Sequence, residues 1–448
     1  MDKAKRHMHL NLFLMNTGHH EASWRHPGTA PRRITELDYY RELGAIAERG
    51  KLDSLFLADT YVLPATVRHK VLHGLEPFTL LSAIAAVTTK IGLIGTASTT
   101  FNDPFHIARK FASLDHLSGG RAGWNIVTTA SEGAAYNFGD QPLMDHAARY
   151  RRADEFVGVV QALWDCWEEE ALAADKDSGI YADMEKIRRI DHRGEHFAVR
   201  GPLNMPRTPQ GQPVLVQAGS SEDGMSFAAK FAEAVFTAQS TFESGQAFYR
   251  EMKSRMGRYG RSPEELRILP GFFTVVGDTA AEAREKEREL DELTIPAYGL
   301  QRLSTLFKVD LTDYPLDAPV PLELLPAHSA INGNRGRYEL IENMARKEKL
   351  TIRQLIMRTA GSRGHAACTG TPVQIADELE RWFAGGAADG FNLMPSHMPG
   401  GLSDFVDKVI PELQNRGLFR TAYEGNTLRD HYGLSRPAGS GRTAEVRL

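Results

Sequence analysis

The chain has 448 residues, 42% hydrophobic and 25% charged, with a formal net charge of −4, so nothing in its electrostatics favours nucleic acid or an anionic membrane. No apolar run reaches the roughly 18 residues that a membrane span needs. Cys166 and Cys368 are too few for a disulfide framework, and the opening MDKAKRH lacks a signal peptide's apolar core, so the expected location is the cytoplasm and the expected partner a small molecule.

In chain order, His9–Met15 reads as a first buried strand, followed by a polar loop holding His19, His20, Trp24, Arg25 and His26. Ile34–Gly50 is a helix with Leu37, Tyr40, Leu43 and Ala47 on one side, and Leu52–Asp59 a second strand ending in a carboxylate. A helix over Phe78–Thr89 feeds a third strand, Ile91–Thr100, whose Gly92 and Gly95 would let a backbone or a flat ligand come close. The stretch around which these units are arranged is Ser113–Thr129. Asp103-Pro104 starts a helix, as an N-cap carboxylate before a proline at the first helical position. Gly119-Gly120 stops it. Ala122–Val127 then restarts as a fourth strand that carries Trp124, Asn125, Thr128 and Thr129 to its C-terminal end.

After a polar loop comes a long amphipathic helix, whose first turn holds His146, Arg149 and Tyr150; His146 and Tyr150 share a face at its positive end. From about 168 to 212 the pattern lapses into an acidic excursion with a hairpin near His192–Phe197. Val214–Gly219 is the fifth strand and runs into Ser220-Ser221 and another helix start, a place where backbone N–H groups and hydroxyls converge on an anion. Ala234–Thr237, Ile268–Val276 and Asp389–Met394 complete eight strands, with helices at Phe242–Tyr259, Ala280–Leu293, Thr371–Ala384 and Phe405–Asn415. The segment 298–370 shows no strand–helix alternation and is expected to be a lid. Eight strand–helix pairs without a repeat predict one α/β domain over 1–448, a (β/α)8 TIM barrel with two insertions and ligand chemistry at the C-terminal strand ends.

The polar residues placed at that face are Asp59, Thr96, Ser98, Asn125, His146, Tyr150, Ser220 and Ser221. They form no nucleophile–base–acid triad. No P-loop or Gly-x-Ser-x-Gly elbow occurs, and His69 with His73, four apart, lacks a third metal ligand, so no metal is expected. A phenol, an imidazole and two hydroxyls at helix starts suit a phosphate, and the missing nucleophile favours a borrowed cofactor. Each residue taken singly also has a structural reading, as a helix cap, a salt bridge or a partner for neighbouring backbone.

The runs FLAD at Phe56–Asp59, TASTTF at Thr96–Phe101, SLDHLSGGRAGWNIVT at Ser113–Thr128, ARYRRADEF at Ala148–Phe156, QAGSS at Gln217–Ser221, AADGFNL at Ala387–Leu393 and VIPELQNRGLFR at Val409–Arg420 resemble the bacterial luciferase-like FMN-dependent monooxygenases, in the nitrilotriacetate, dibenzothiophene-sulfone and pristinamycin branch. The resemblance implies a luciferase-like TIM barrel using FMNH2 supplied by a separate NAD(P)H-dependent flavin reductase, with O2 as co-substrate, and a homodimer or tetramer. It implies oxygen addition at flavin C4a to a hydroperoxide, and transfer of one oxygen atom to a sulfur, amine or ring substrate. Asp59, Thr96, Ser98 and Asn125 would lie along the isoalloxazine and ribityl chain, and His146, Tyr150, Ser220 and Ser221 at the phosphate. Asn125 and His20 are the expected catalytic groups. His19, His20, Trp24, Phe242 and His365, with His328, would line the substrate pocket. The alternatives are a deazaflavin-dependent oxidoreductase of the same superfamily and an FMN-binding protein without turnover.

Overall fold

The computed structural model describes residues 6–63, 65–72, 74–139, 142–327, 331 and 335–439; His73, His328 and the 332–334 part of the Gly/Asn-rich stretch lie outside them. Thirteen strands are formed: β1 (His9–Leu14), β2 (Ser54–Leu57), β3 (Gly92–Ser98), β4 (Ala122–Val127), β5 (Leu172–Asp175), β6 (Ile180–Ala182), β7 (His192–Arg193), β8 (Ala198–Val199), β9 (Val214–Ala218), β10 (Ala234–Thr237), β11 (Arg267–Val276), β12 (Ala366–Gly370) and β13 (Gly390–Pro395). Eight of them, β1-β2-β3-β4-β9-β10-β11-β13, pair in parallel around a ring that closes where Asn11 of β1 meets Asn392 of β13. The result is the expected (β/α)8 TIM barrel. The hairpins β5-β6 and β7-β8 fill the first insertion.

The central helix–strand unit follows its sequence closely. Asp103 accepts from Phe105 N at 2.9 Å, Pro104 opens the helix Pro104–Ser118, and Gly119 and Gly120 turn the chain at φ 68° and 92°, where a Cβ would be strained. Asp115 then takes the Ala122 amide at 3.1 Å and the Gln210 side chain at 2.6 Å. Arg121 donates to the carbonyls of Ala85, Thr88, Ile91 and Ser118, so one guanidinium ties the helix-to-strand link before β3 to the end of the helix before β4. Outward, Trp124 packs on Phe111, Phe156 and Trp164 and donates to the Ala97 carbonyl at 3.1 Å.

Alternation places Ile94, Thr96 and Ser98 of β3 and Gly123 and Asn125 of β4 inside the barrel. Below Asn125 the interior is filled by Phe56, Ile94, Val214, Val216 and Leu269, together with Leu428 and Tyr432 from a floor helix, Leu428–Tyr432. This corrects the reading of the β3 glycines as room for a flat ligand. A Cβ on Gly92 would lie 2.5 Å from Leu428, and one on Gly95 would lie 3.0 Å from Leu81 on the outer helix. Both glycines make room for the protein's own side chains, and a Cβ on Gly92 would also lie 2.9 Å from the Asp53 carbonyl, so the close backbone approach is met there. The floor helix is held by Arg429, paired with Glu233 at 2.5 Å and bonded to the Gln212 carbonyl at 2.9 Å, and by Tyr432, which donates to Asn11 at 2.8 Å. Beside it, fully buried Asp53 is enclosed by Arg420, by His9 at 3.2 Å and by the Leu10 amide at 2.6 Å.

The segment 298–370 differs from its sequence reading. It contains the helices Pro296–Phe307, Arg335–Glu348 and Ile352–Ala360, and then β12, which extends the sheet along the outer half of β11 from Phe272 to Val276. Leu300, Leu303, Phe307, Tyr338, Ile341, Met344, Ile352, Leu355 and Ile356 make a core of their own. Helical spacing was present within each short run, but prolines and the Gly/Asn stretch divide those runs, and only their mutual packing makes them helices.

Candidate functional site

A cavity of about 310 Å³ opens at the C-terminal ends of β4, β9 and β10, and among its lining residues are His146, Tyr150, Ser220 and Ser221. Two helices begin here. Asp145 caps the helix His146–Trp164 by accepting from Ala148 N at 2.8 Å, and Ser221 caps the helix Glu222–Phe231 by accepting from Gly224 N at 3.2 Å. Both positive ends therefore face one space, which favours an anion there. His146 Nδ1 is paired with Asp223 at 2.9 Å, leaving Nε2 for a ligand. The Tyr150 phenol reaches Ser221 and Thr128, and burial pushes its pKa up, so it remains a donor. Its hydroxyl also comes so close to Gly224 that a Cβ there would be 2.9 Å away.

Several lining residues were not singled out from sequence. Arg149 is buried in the wall and donates to the Met144 carbonyl at 2.5 Å; its signal was its place three residues after His146 on one helix face. Gln217 sits one residue before the Ala-Gly-Ser-Ser turn, and its buried Oε1 has no hydrogen-bond partner among the described residues. Arg337 and Gly336 arrive from the helix Arg335–Glu348, and no local pattern announces them. A Cβ on Gly336 would lie 2.5 Å from Ser220 Oγ, so the helix Arg335–Glu348 rests directly on Ser220.

The remaining candidates are not gathered in this cavity, apart from His365. Thr96 and Asn125 are register partners deep in the mouth. Asn125 donates to Thr96 Oγ1 at 2.8 Å, Thr96 donates to the Leu57 carbonyl at 2.8 Å, and Asn125 Oδ1 has no partner among the described residues. Ser98 is fully buried and accepts from Thr129 Oγ1 at 2.7 Å and Thr100 N at 3.1 Å, so its hydroxyl is occupied by the strand-end turn. Asp59 accepts from Thr60 N at 2.8 Å, and burial pushes its pKa up to about 6.

His365 lines the cavity, stacks on Phe236 at 5.3 Å and meets Arg337 at 3.1 Å. His19 lies against Phe13, 4.7 Å between ring centres, and burial followed by the field of Arg363 lowers its pKa to about 3. His20 is paired with Asp291 at 3.1 Å, and its other ring nitrogen accepts from Ala22 N. Trp24 donates to the His69 carbonyl, and Phe242 packs on Trp382 and under Arg381 in the outer helical layer. Among the described residues no His/Cys/Asp/Glu cluster could hold a metal, and no helix is long and apolar enough to cross a membrane.

Fold and site together define a (β/α)8 barrel in which two helix N-termini face one cavity at the C-terminal ends of the strands. The chain belongs to the luciferase-like monooxygenase family, whose model matches residues 12–389. It is similar to the N-acetyl-S-(2-succino)cysteine monooxygenase of Bacillus subtilis (strain 168), at 51% identity over 98% of this chain and 99% of that one. It is also similar to nitrilotriacetate monooxygenase component A of Aminobacter aminovorans, at 49% over 98% of each. Among solved structures, a riboflavin lyase with modified FMN and riboflavin superposes with a TM-score of 0.85 at 32% identity, covering 96% of this chain and 97% of that one. The chain is thus a monooxygenase, and the deazaflavin and non-catalytic alternatives fall away.

Proposed function

We propose that this protein is the oxygenating component of a two-component system, taking reduced FMN from a separate NAD(P)H-dependent flavin reductase and using O2 to place one oxygen atom on a small organic molecule. The observation that carries the cofactor assignment is the cavity where two helix starts converge with His146, Arg149, Tyr150, Ser220 and Ser221. The donor set fits a phosphate, and the partnerless Asn125 Oδ1 and Gln217 Oε1 fit the N–H and hydroxyl groups of a flavin. When bound, reduced flavin supplies the two electrons by which O2 is divided between product and water. The protein's own part is positional. Tyr150 and the two serines donate to the phosphate, His146 is oriented by Asp223, and Arg149 balances charge. Thr96 holds the Asn125 amide so that its oxygen faces the barrel mouth. The lid helix Arg335–Glu348, seated on Ser220, keeps water from the reacting centre.

Relatives named for N-acetyl-S-(2-succino)cysteine and for nitrilotriacetate, a sulfur and an amine compound, support a substrate of that kind. We assign a cytoplasmic homodimer or tetramer, with the whole of 1–448 as one catalytic domain. The test uses isotopically labelled O2 with the full chain, FMN, a flavin reductase and NAD(P)H. One labelled atom per product molecule is expected. Release of hydrogen peroxide alone, with every sulfur, amine and ring compound supplied, sinks the assignment.

A further inference from the structure

At the top of the filled barrel floor, two neighbouring side chains form a hydrogen-bond relay that ends in an unpaired carbonyl. Thr96 of β3 and Asn125 of β4 are register partners, and both are buried. The Thr96 hydroxyl has one proton, and the Leu57 carbonyl 2.8 Å away can only accept, so the proton goes there. Thr96 Oγ1 is left to accept from Asn125, at 2.8 Å, and only the amide nitrogen can donate to it. The relay therefore dictates which way round the amide stands: Nδ2 toward Thr96, Oδ1 away from it. Turning the amide over would set two acceptors face to face and leave Thr96 without its donor.

Asn125 Oδ1 is buried and has no hydrogen-bond partner among the described residues. The floor beneath it is apolar, filled by Phe56, Ile94, Val214, Val216 and Leu269. Phe13 and Phe236 pack against Phe56 and each other, ring centres within 5.4 Å, and add no donor. The space that remains lies above, where the large cavity begins. Its β4 wall starts at Ile126, the next residue, its β9 wall at Gln217, the register partner of Ile126, and its β10 wall at Phe236. A buried acceptor left unpaired destabilises a fold, and a ligand entering from the cavity is what supplies the missing donor.

Resting on the reading of this chain as an FMN-dependent oxygenating component, we infer that Asn125 Oδ1 selects the redox state of the flavin by accepting from the ring N–H that two-electron reduction places at N5, with Thr96 as the positioning residue that keeps the amide from serving the oxidised ring. Oxidised flavin presents a lone pair at N5. A freely turning asparagine would answer that lone pair with Nδ2, whereas this one is locked as an acceptor and meets it with a second lone pair. The lock suits a component supplied by a separate reductase: reduced flavin is captured in the presence of oxidised flavin, and spent flavin is released. The ring N3–H and the ribityl hydroxyls are the same in both states, so an acceptor serving those groups would confer no such selectivity.

The test is anaerobic titration of the full chain with oxidised FMN and with dithionite-reduced FMN, followed by protein fluorescence. Wild type is expected to bind the reduced form about 30-fold more tightly, which is a two-electron potential about 45 mV higher for bound than for free flavin. Thr96→Val frees the amide to turn, so it should strengthen oxidised FMN about 10-fold and leave reduced FMN within about twofold, a gain of binding that misfolding does not produce. Thr96→Ser keeps the hydroxyl and should keep the wild-type ratio. Asn125→Leu should weaken reduced FMN about 10-fold with oxidised FMN little changed. Riboflavin should show the same ratio, since the phosphate is held elsewhere. Equal affinity for the two states in wild type, an unchanged ratio in Thr96→Val, or an equal loss of both states in Asn125→Leu overturns the inference. Equal affinity together with insertion of one labelled oxygen atom into product keeps the monooxygenase and removes the selector. Selective binding with only hydrogen peroxide released keeps the selector and removes the oxygenating role, and failure to bind either state removes both.

Discussion

Replacing Tyr150 by Phe removes one donor from the anion cradle, together with the phenol's bonds to Ser221 and Thr128, and leaves the ring in place. The ring still packs on Phe227 at 5.8 Å and beside His146 at 5.0 Å, so the fold keeps its contacts. The lost bond is one from a neutral hydroxyl to a charged phosphate, worth about 1.5–3 kcal/mol. That is roughly a 10- to 150-fold rise in the Kd for FMN. Ser220→Ala removes a second, more exposed donor at the lower end of that range. Because both donors address the same phosphate, the double variant should lose less than the sum of the single losses. The assay is a fluorescence titration of each variant with FMN and with riboflavin, which lacks the phosphate. Selective loss of FMN is expected. If riboflavin weakens by the same factor, the cradle does not hold a phosphate and the cofactor has been placed the wrong way round.

Arg420→Met leaves Asp53 buried without its main counter-charge, at a cost of about 3–5 kcal/mol, read from urea unfolding; a loss under about 1 kcal/mol contradicts the account of the floor. In the wild type, burial alone would push the Asp53 carboxyl up, but Arg420 and His9 outweigh it and hold it below the usual carboxylate range. Its stabilisation is thus intact above about pH 4 and is lost as the pH falls through the lowered value. Asp59 behaves oppositely. With its pKa raised to about 6, the folded state is penalised as pH rises from about 4 to 6, so Asp59→Asn should raise the melting temperature at pH 8 and leave it unchanged at pH 4. Partial exposure limits that gain to about 1 kcal/mol. Gly336→Val should lift the lid from Ser220, raising the FMN Kd and increasing the share of electrons lost to hydrogen peroxide; unchanged coupling in an oxygen electrode refutes a sealing role for this helix.

What was legible in the sequence was whatever local rules determine. The Asp-Pro start and Gly-Gly stop of the central helix, the apolar strands and the hydroxyls before a helix all appear where read, since capping, φ preference and periodicity act within a few residues. His146 and Tyr150 reach one cavity with Ser220 and Ser221 because two helix starts are carried there by adjacent barrel strands, β4 and β9, a neighbourhood that the barrel topology alone supplies. Illegible were features made by distant partners. Gly92 looks the same whether it admits a ligand or Leu428. His20 shows no sign of Asp291, nor Phe242 of Trp382, and Arg337 enters the cavity only because three short helices pack around one core.

The closure of the ring has a consequence for how the protein is made. β1 precedes every other barrel strand in synthesis, yet its Asn11 bonds Asn392, and the floor helix beneath it contributes Tyr432 to the same asparagine. Throughout most of synthesis the nascent chain is an open sheet with two unpaired parallel edges and an unsealed apolar floor of Phe56, Ile94 and Val214. Aggregation during expression should therefore depend on how quickly β13 and the floor helix Leu428–Tyr432 are delivered, and a chain cut short before Leu428 should collect in the insoluble fraction even with every cofactor-facing residue intact.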